Sequence, residues 1–163
     1  MLNMKKEWLE LVAKQEELLV FDKFDREDML ALGLKIIELA KTKYGHGVAV
    51  RIFAEGATTF YHMMDGSSLE NDWWMNKKLN GCLITGVSSI RATLEREYGI
   101  RKTEEWMKNE GNYALCGGCI PVRLKSGDIA GYAMVSALPH ETDHQLVADA
   151  MAEFLGVQIP SIL

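Results

Sequence analysis

The chain has 163 residues, 48% of them hydrophobic and 25% charged, and a net charge of −5. This length suits one domain over residues 1–163 with a sizeable core, and the acidic balance argues against a nucleic-acid or anionic-membrane surface, since either needs a basic stripe. No run approaches the roughly 20 apolar residues that span a bilayer, the N-terminus lacks a signal peptide's apolar segment, and three cysteines make no disulfide framework; the expected setting is the cytoplasm.

Met4, Trp8, Leu11, Val12, Leu18 and Leu19 recur at helical spacing, which predicts a helix over about residues 3–17. "LLVFDKF" follows as a short strand. Asp25, with Asp28 three residues on, caps a second helix whose buried stripe is Met29, Gly33, Ile36, Ile37, Ala40 and Tyr44. Gly45 and Gly47 end it. "VAVRIFA" and "TTFYHMM" are strands joined by a turn at "EGA". One long helix is expected from about Leu69 to Tyr98, loosened at Gly81 and Gly86. "IPVRL" and "IAGYAMVSAL" make a second hairpin around "KSGD", and Pro139 opens a closing helix with Leu146, Val147, Ala150, Met151 and Phe154 turned inward. This order predicts an α+β fold, an antiparallel sheet flanked by helices on both faces.

Cys116-Gly-Gly-Cys119 has the spacing of a redox or zinc pair. A thioredoxin-type pair sits at a helix N-terminus that lowers the thiol pKa, whereas here a strand-like "IPVRL" follows. Structural zinc needs two further ligands, and Cys82 stands alone. Small buried side chains are the better reading of the cysteines, with no metal expected. Gly117-Gly118 offers backbone N–H groups and room for close approach, or simply a tight turn.

"HETDH" sets His140 and His144 four apart with Asp143 between them. Two histidines at that spacing can share a metal, but no third ligand follows. Asp143 also suits a helix start, where its charge favours the dipole. Both Asp143 and His144 fall on the inward side of this helix and so need partners. On the long helix, Leu79, Leu83, Val87, Ile90 and Leu94, flanked by Trp73 and Ile84, form one apolar face. Nearly opposite lie Asn71, Trp74, Lys78, Cys82, Thr85 and Ser89. That second face suits a pocket or a subunit interface better than open solvent.

Together these motifs become recognisable. "NDWWMNKK" follows an Asn-x-x-Trp-x-x-basic-Lys pattern, with Ser88-Ser89 at the matching distance, and "GGCIPVRLKSGDIAGYAMVSALPHETDH" follows in order. The chain thereby resembles the haem-degrading, GlcG/HbpS-like proteins, in their single-domain branch, over about residues 18–155. Ala137 stands where that family usually has Gly, narrowing a pocket, and Lys77 replaces a common Arg, losing its bidentate fork. The resemblance implies a profilin-like sheet flanked by helices and assembly into dimers or larger rings. Some members bind haem; others accompany glycolate or diol metabolism or corrinoid handling.

The leading expectation is a small-ligand-binding protein, with haem or another tetrapyrrole the first candidate cofactor and Lys77, Lys78, Arg123 and the histidines as suitable groups. The alternative is an enzyme acting on a small anionic metabolite. Asp143 and His144 would then supply acid–base chemistry, Lys77 or Lys78 would hold the anion, and Gly117-Gly118 would offer donors. A third is a non-catalytic oligomeric scaffold. Antiparallel pairing around "KSGD" brings Gly117 and Gly118 beside Ser136 and the start of the last helix. One pocket is therefore expected to hold Gly117, Gly118, Asp143, His144 and the Asn71–Trp74–Lys78 face, with Ser89 and Ser136 as further ligand-binding candidates.

Overall fold

A computed structural model describes residues 4–163. Helix α1 spans Trp8–Leu18, so it begins a turn later than the periodicity predicts, and the expected first residue, Asn3, lies outside the described residues. Strand β1 is the short Val20–Phe21. Helix α2, Arg26–Thr42, starts at the expected capping box: the Asp28 N–H donates to Asp25 at 2.9 Å and the Asp25 N–H to Asp28 at 3.0 Å. Strands β2, Ala49–Ala54, and β3, Ala57–Met63, form the first hairpin.

The expected single long helix is two helices. Helix α3, Leu69–Thr85, stops at Gly86, whose φ of 69° is the left-handed conformation that closes a helix, with its N–H bonded to the Cys82 carbonyl at 2.8 Å. Ser88 then caps α4, Ser89–Glu97, by accepting the Arg91 N–H. Twenty-one residues, 98–118, lead to the next strand with one short 3₁₀ turn at Glu105–Lys108. Strands β4, Cys119–Leu124, and β5, Ile129–Ser136, form the second hairpin, and α5, His140–Leu155, closes the fold after Pro139.

The five strands make one sheet in the order β1-β4-β5-β2-β3. The sheet is mixed rather than purely antiparallel, because β1 runs parallel to β4 through Val20↔Arg123 and Phe21↔Leu124. A two-residue edge strand that feeds straight into α2 meets no hairpin constraint on its direction. On one face Val50, Ile52, Ala133 and Val135 pack beneath Ile36 of α2 and Leu146 and Met151 of α5. On the other, Ala49, Cys119 and Met134 pack against Met75, Leu79 and Cys82 of α3. Helices α1 and α4 share a smaller cluster, Trp8, Val12, Ile90 and Leu94, at the side. The fold is thus α+β with helices on both sheet faces.

The inward face of α3 matches the one its hydrophobicity selects only in part, through Leu79. Trp73, Leu83 and Ile84 are exposed at 58%, 46% and 49%, while Lys78 is 2% exposed and Cys82 is fully buried. The arc that meets the sheet is Met75, Lys78, Leu79 and Cys82, so two members of the expected polar face turn inward, Lys78 because it finds acceptors there.

Candidate functional site

The site grows from the way β5 hands over to α5. Ser136 ends the strand opposite Ala49, and Gly118 pairs with β5 by accepting the Val135 N–H at 2.9 Å. This places the Gly-Gly segment against the first turn of α5, as the hairpin register predicts. A side chain at Gly117 would bring Cβ within 2.3 Å of the His140 carbonyl oxygen, so only glycine fits. The Gly117 N–H donates to Nδ1 of His140 at 3.1 Å. A neutral His140 ring therefore carries its proton on Nε2.

Beneath Gly118 lies a buried ion pair. Nζ of Lys78 donates to Oδ2 of Asp143 at 2.9 Å and to the Val135 carbonyl at 3.0 Å. The other oxygen of Asp143, Oδ1, accepts the Leu138 N–H at 3.0 Å. Both residues are 2% exposed. Gly118 has φ 130°, and a Cβ there would sit 2.5 Å from Nζ. Burial pushes the Asp143 carboxyl above its ordinary value, while Lys78 and the backbone donors of Leu138 and Ala137 oppose that rise.

The pair lies on the wall of a cavity of about 630 Å³. Helix α3 contributes Asn71, Trp74, Lys77 and Lys78 to it, and α4 adds Arg96. The segment before β4 contributes Met107, Glu110, Tyr113 and Cys116, and the β5–α5 junction contributes Ser136, Ala137, His140 and Asp143. Asn71 is oriented by both its amide groups, accepting the Ser68 N–H at 2.8 Å and donating to Ser136 Oγ at 3.3 Å. Nζ of Lys77 lies 5.0 Å from the Trp74 ring centre, a cation–π distance. Neither Lys77 nor Arg96 enters an ion pair with another described residue.

Six of the ten residues expected from sequence thus line one cavity: Asn71, Trp74, Lys77, Lys78, Ser136 and Asp143. Gly117 and Gly118 lie behind its wall. The remaining two are turned elsewhere. Ser89 is 1% exposed and holds the start of β4, its Oγ accepting the Cys119 N–H at 3.1 Å. His144 points toward α1, with Nε2 2.8 Å from Oε1 of Gln15. The Gln15 amide already donates to the Pro160 carbonyl and to Gln145, so its oxygen accepts and His144 donates from Nε2. Burial and the neighbouring His140 push the His144 pKa down to about 3.

Sequence reasoning missed Arg96, Met107, Glu110, Tyr113, Ala114 and Leu115, and read Cys116 only as half of a pair. The one available signal was the long stretch before β4 without helical or strand periodicity, a length that loops with a role often have. Cys116 and Cys119 are unbonded and diverge, Cys116 toward the cavity and Cys119 into the sheet core. Burial raises the Cys116 thiol pKa, with Lys78 opposing. The Cys82 thiol is also raised by burial and donates to the Cys119 carbonyl at 3.5 Å.

Residues 24–152 match the family described as haem degrading protein HbpS-like. The chain belongs to that family. Among curated relatives, a UPF0303 protein of Brucella anthropi is 34% identical over 150 residues, covering 89% of this chain and 86% of the relative. Among solved structures, the Ybr137w protein superposes with a TM-score of 0.80 at 24% identity, covering 96% of this chain and 98% of that one. A PduOC:haem complex superposes with a TM-score of 0.66 at 17% identity, covering 83% and 95%. At those identities the two structures establish the shared fold.

Proposed function

We propose that this protein binds a small anionic ligand with aromatic or apolar surface in the α3–β5–α5 cavity, and that haem is the first ligand to test. The carrying observation is the composition of one cavity. About 630 Å³ falls in the range of small-molecule sites; Trp74 and Tyr113 offer flat apolar surface, and Lys77 and Arg96 are cations that form no ion pair among the described residues. The donor set fits haem. Cys116, Tyr113, His140 and Met107 are side-chain types that ligate haem iron, and Lys77 and Arg96 suit propionates. Bound haem would bring a redox-active iron; the chain itself would bind, orient and shield it. A solved relative in fold carries haem, which supports the choice of probe. Titration of the protein with micromolar haem should give a saturable, shifted Soret band that weakens when Lys77 and Arg96 are both changed to Ala. No shift at micromolar haem overturns the haem reading.

A second reading, an enzyme for a small anionic metabolite, is favoured by the Lys78–Asp143 pair, which places a base and an amine on the cavity wall. The sequence-based suggestion of His144 as a catalytic partner is the part of that reading the geometry supports least, because its ring is engaged with Gln15.

The same reading covers the finer expectations. A profilin-like description suits a sheet flanked by helices on both faces, and a reducing cytoplasm suits three free cysteines. No helix among the described residues is long and apolar enough to cross a membrane. Self-association is supported by the exposed Leu69, Trp73, Leu83 and Ile84 of α3. A monomeric mass by light scattering at micromolar concentration would overturn it.

A further inference from the structure

Lys78 has a feature that stabilisation alone does not require. Burying an ammonium is costly unless its hydrogens are well satisfied. Nζ has three hydrogens and finds two acceptors, Asp143 Oδ2 and the Val135 carbonyl, with no third among the described residues. The residue nevertheless lies on the wall of the 630 Å³ cavity, and glycine stands at 118, where a Cβ would collide with Nζ. A proton shift across the 2.9 Å contact converts the pair into an uncharged amine and a neutral carboxylic acid. That state avoids the desolvation cost of both ions, and the upward push of burial on the Asp143 carboxyl runs the same way. A neutral buried amine becomes a nucleophile toward carbonyl carbon once Asp143 passes its proton to the carbonyl oxygen and so releases the nitrogen lone pair.

The rest of the wall selects the carbonyl compound. With the Lys78–Asp143 pair neutral as a unit, the charges left are Lys77, Arg96 and Glu110. Their balance is one positive charge, which suits a single carboxylate. Asn71 and Ser136 add polar groups beside the pair.

We propose that Lys78 forms a reversible imine with a small 2-oxo monocarboxylic acid held in this cavity. The inference rests on the enzymatic reading of the site rather than the haem reading. The Nζ lone pair forms the C–N bond as the carbonyl oxygen takes the proton held by Asp143. The carboxylate then removes a proton from nitrogen, giving a neutral carbinolamine. Asp143 returns that proton to the hydroxyl, which leaves as water while the nitrogen lone pair closes the C=N bond. Ammonium plus ketone becomes iminium plus water, with charge conserved and no oxidation or reduction. The iminium replaces the ammonium as the partner of the Asp143 carboxylate.

The test is reductive trapping on the full chain with pyruvate and cyanoborohydride, read by intact mass and peptide mapping. The expected product carries one added pyruvate less water plus two hydrogens, located on Lys78. The adduct should be lost in Lys78→Arg, and acetaldehyde, lacking the carboxylate, should label Lys78 more slowly than pyruvate does. Should Lys78→Arg fail to fold, mapping of the wild-type chain decides alone. No adduct, or labelling confined to exposed lysines, overturns the imine. A thermal shift with pyruvate separates the two levels. Stabilisation without an adduct leaves an anion-binding cavity and removes the imine; neither stabilisation nor an adduct removes both.

Discussion

Replacing Lys78 by Met leaves Asp143 buried without its counter-ion, and the structure sets the size and pH dependence of the penalty. Removing one member of a buried pair costs about 3–5 kcal/mol. Asp143 retains the Leu138 N–H, and its carboxyl can take up a proton, so about 3 kcal/mol is expected at pH 8. The sign follows from linkage. A carboxyl whose folded pKa lies above the unfolded value stabilises the fold below that unfolded value and loses the contribution as pH rises through the folded pKa. In the wild type Lys78 opposes the upward shift of Asp143. Without Lys78 the folded carboxyl moves higher still, and the loss extends further up the pH scale. The gap between wild type and variant should therefore narrow to about 1 kcal/mol near pH 4 and widen toward pH 8. Urea unfolding at both pH values measures it; with an m-value of about 2 kcal/mol per molar, 3 kcal/mol moves the midpoint by about 1.5 M. Adding Asp143→Asn to Lys78→Met should recover much of the loss, because it removes the unpaired charge. A gap under about 1 kcal/mol at pH 8, or one equal at both pH values, refutes this account of the pair.

Three further outcomes follow from neighbouring groups. Gly118→Ala combines φ 130° with a Cβ 2.5 Å from Lys78 Nζ and 2.8 Å from the Val135 oxygen, so it should lose at least about 2 kcal/mol by the same urea assay; near-neutrality would count against the close approach. His144, with its pKa pushed down to about 3, contributes stability that is fully present above its unfolded value near 6.5 and is lost as pH falls toward 3. The wild type should lose about 2 kcal/mol from this group by pH 5, and His144→Gln should flatten the profile between pH 6.5 and 5. Ala137 has φ 154°, where glycine is favoured; Ala137→Gly should relieve about 1–3 kcal/mol of strain against about 0.5–1 kcal/mol of added unfolded-state entropy. Calorimetry should then show a Tm a few degrees higher, and a fall would refute the strain.

The secondary elements were legible wherever a local rule acts alone. Asp25 and Asp28 announce α2 because a capping box needs only its own residues. "EGA" and "KSGD" announce their hairpins for the same reason. The reading failed where tertiary structure decides. Leu79, Leu83 and Ile84 are close in sequence and hydrophobicity, yet only Leu79 is buried. Which arc of α3 faces inward is settled by the partners waiting on the sheet, and a Lys that finds a carboxylate and a carbonyl there outweighs two leucine-sized side chains in solvent. The parallel placement of β1 on β4 likewise leaves no mark in a two-residue strand.

The site shows how far a helix wheel carries and where it stops. Asp143 and His144 are adjacent on α5 and differ by about 100° in direction. Both are inward, as their positions on the wheel require, but two different partners stand inside: α3 beneath Asp143 and α1 beside His144. One residue therefore reaches the cavity and the other becomes a neutral link to Gln15. His140, one turn before His144, meets Gly117 because glycine lets the chain pass within contact of the helix start. The histidine that borders the cavity was thus visible as part of a motif, while its role depended on a glycine 23 residues away. Lys78 and Asp143 are 65 residues apart and were each expected in one pocket. Their direct contact turns a general expectation of polar groups into a defined acid–amine unit, because a buried lysine and a buried aspartate answer the same requirement for a partner.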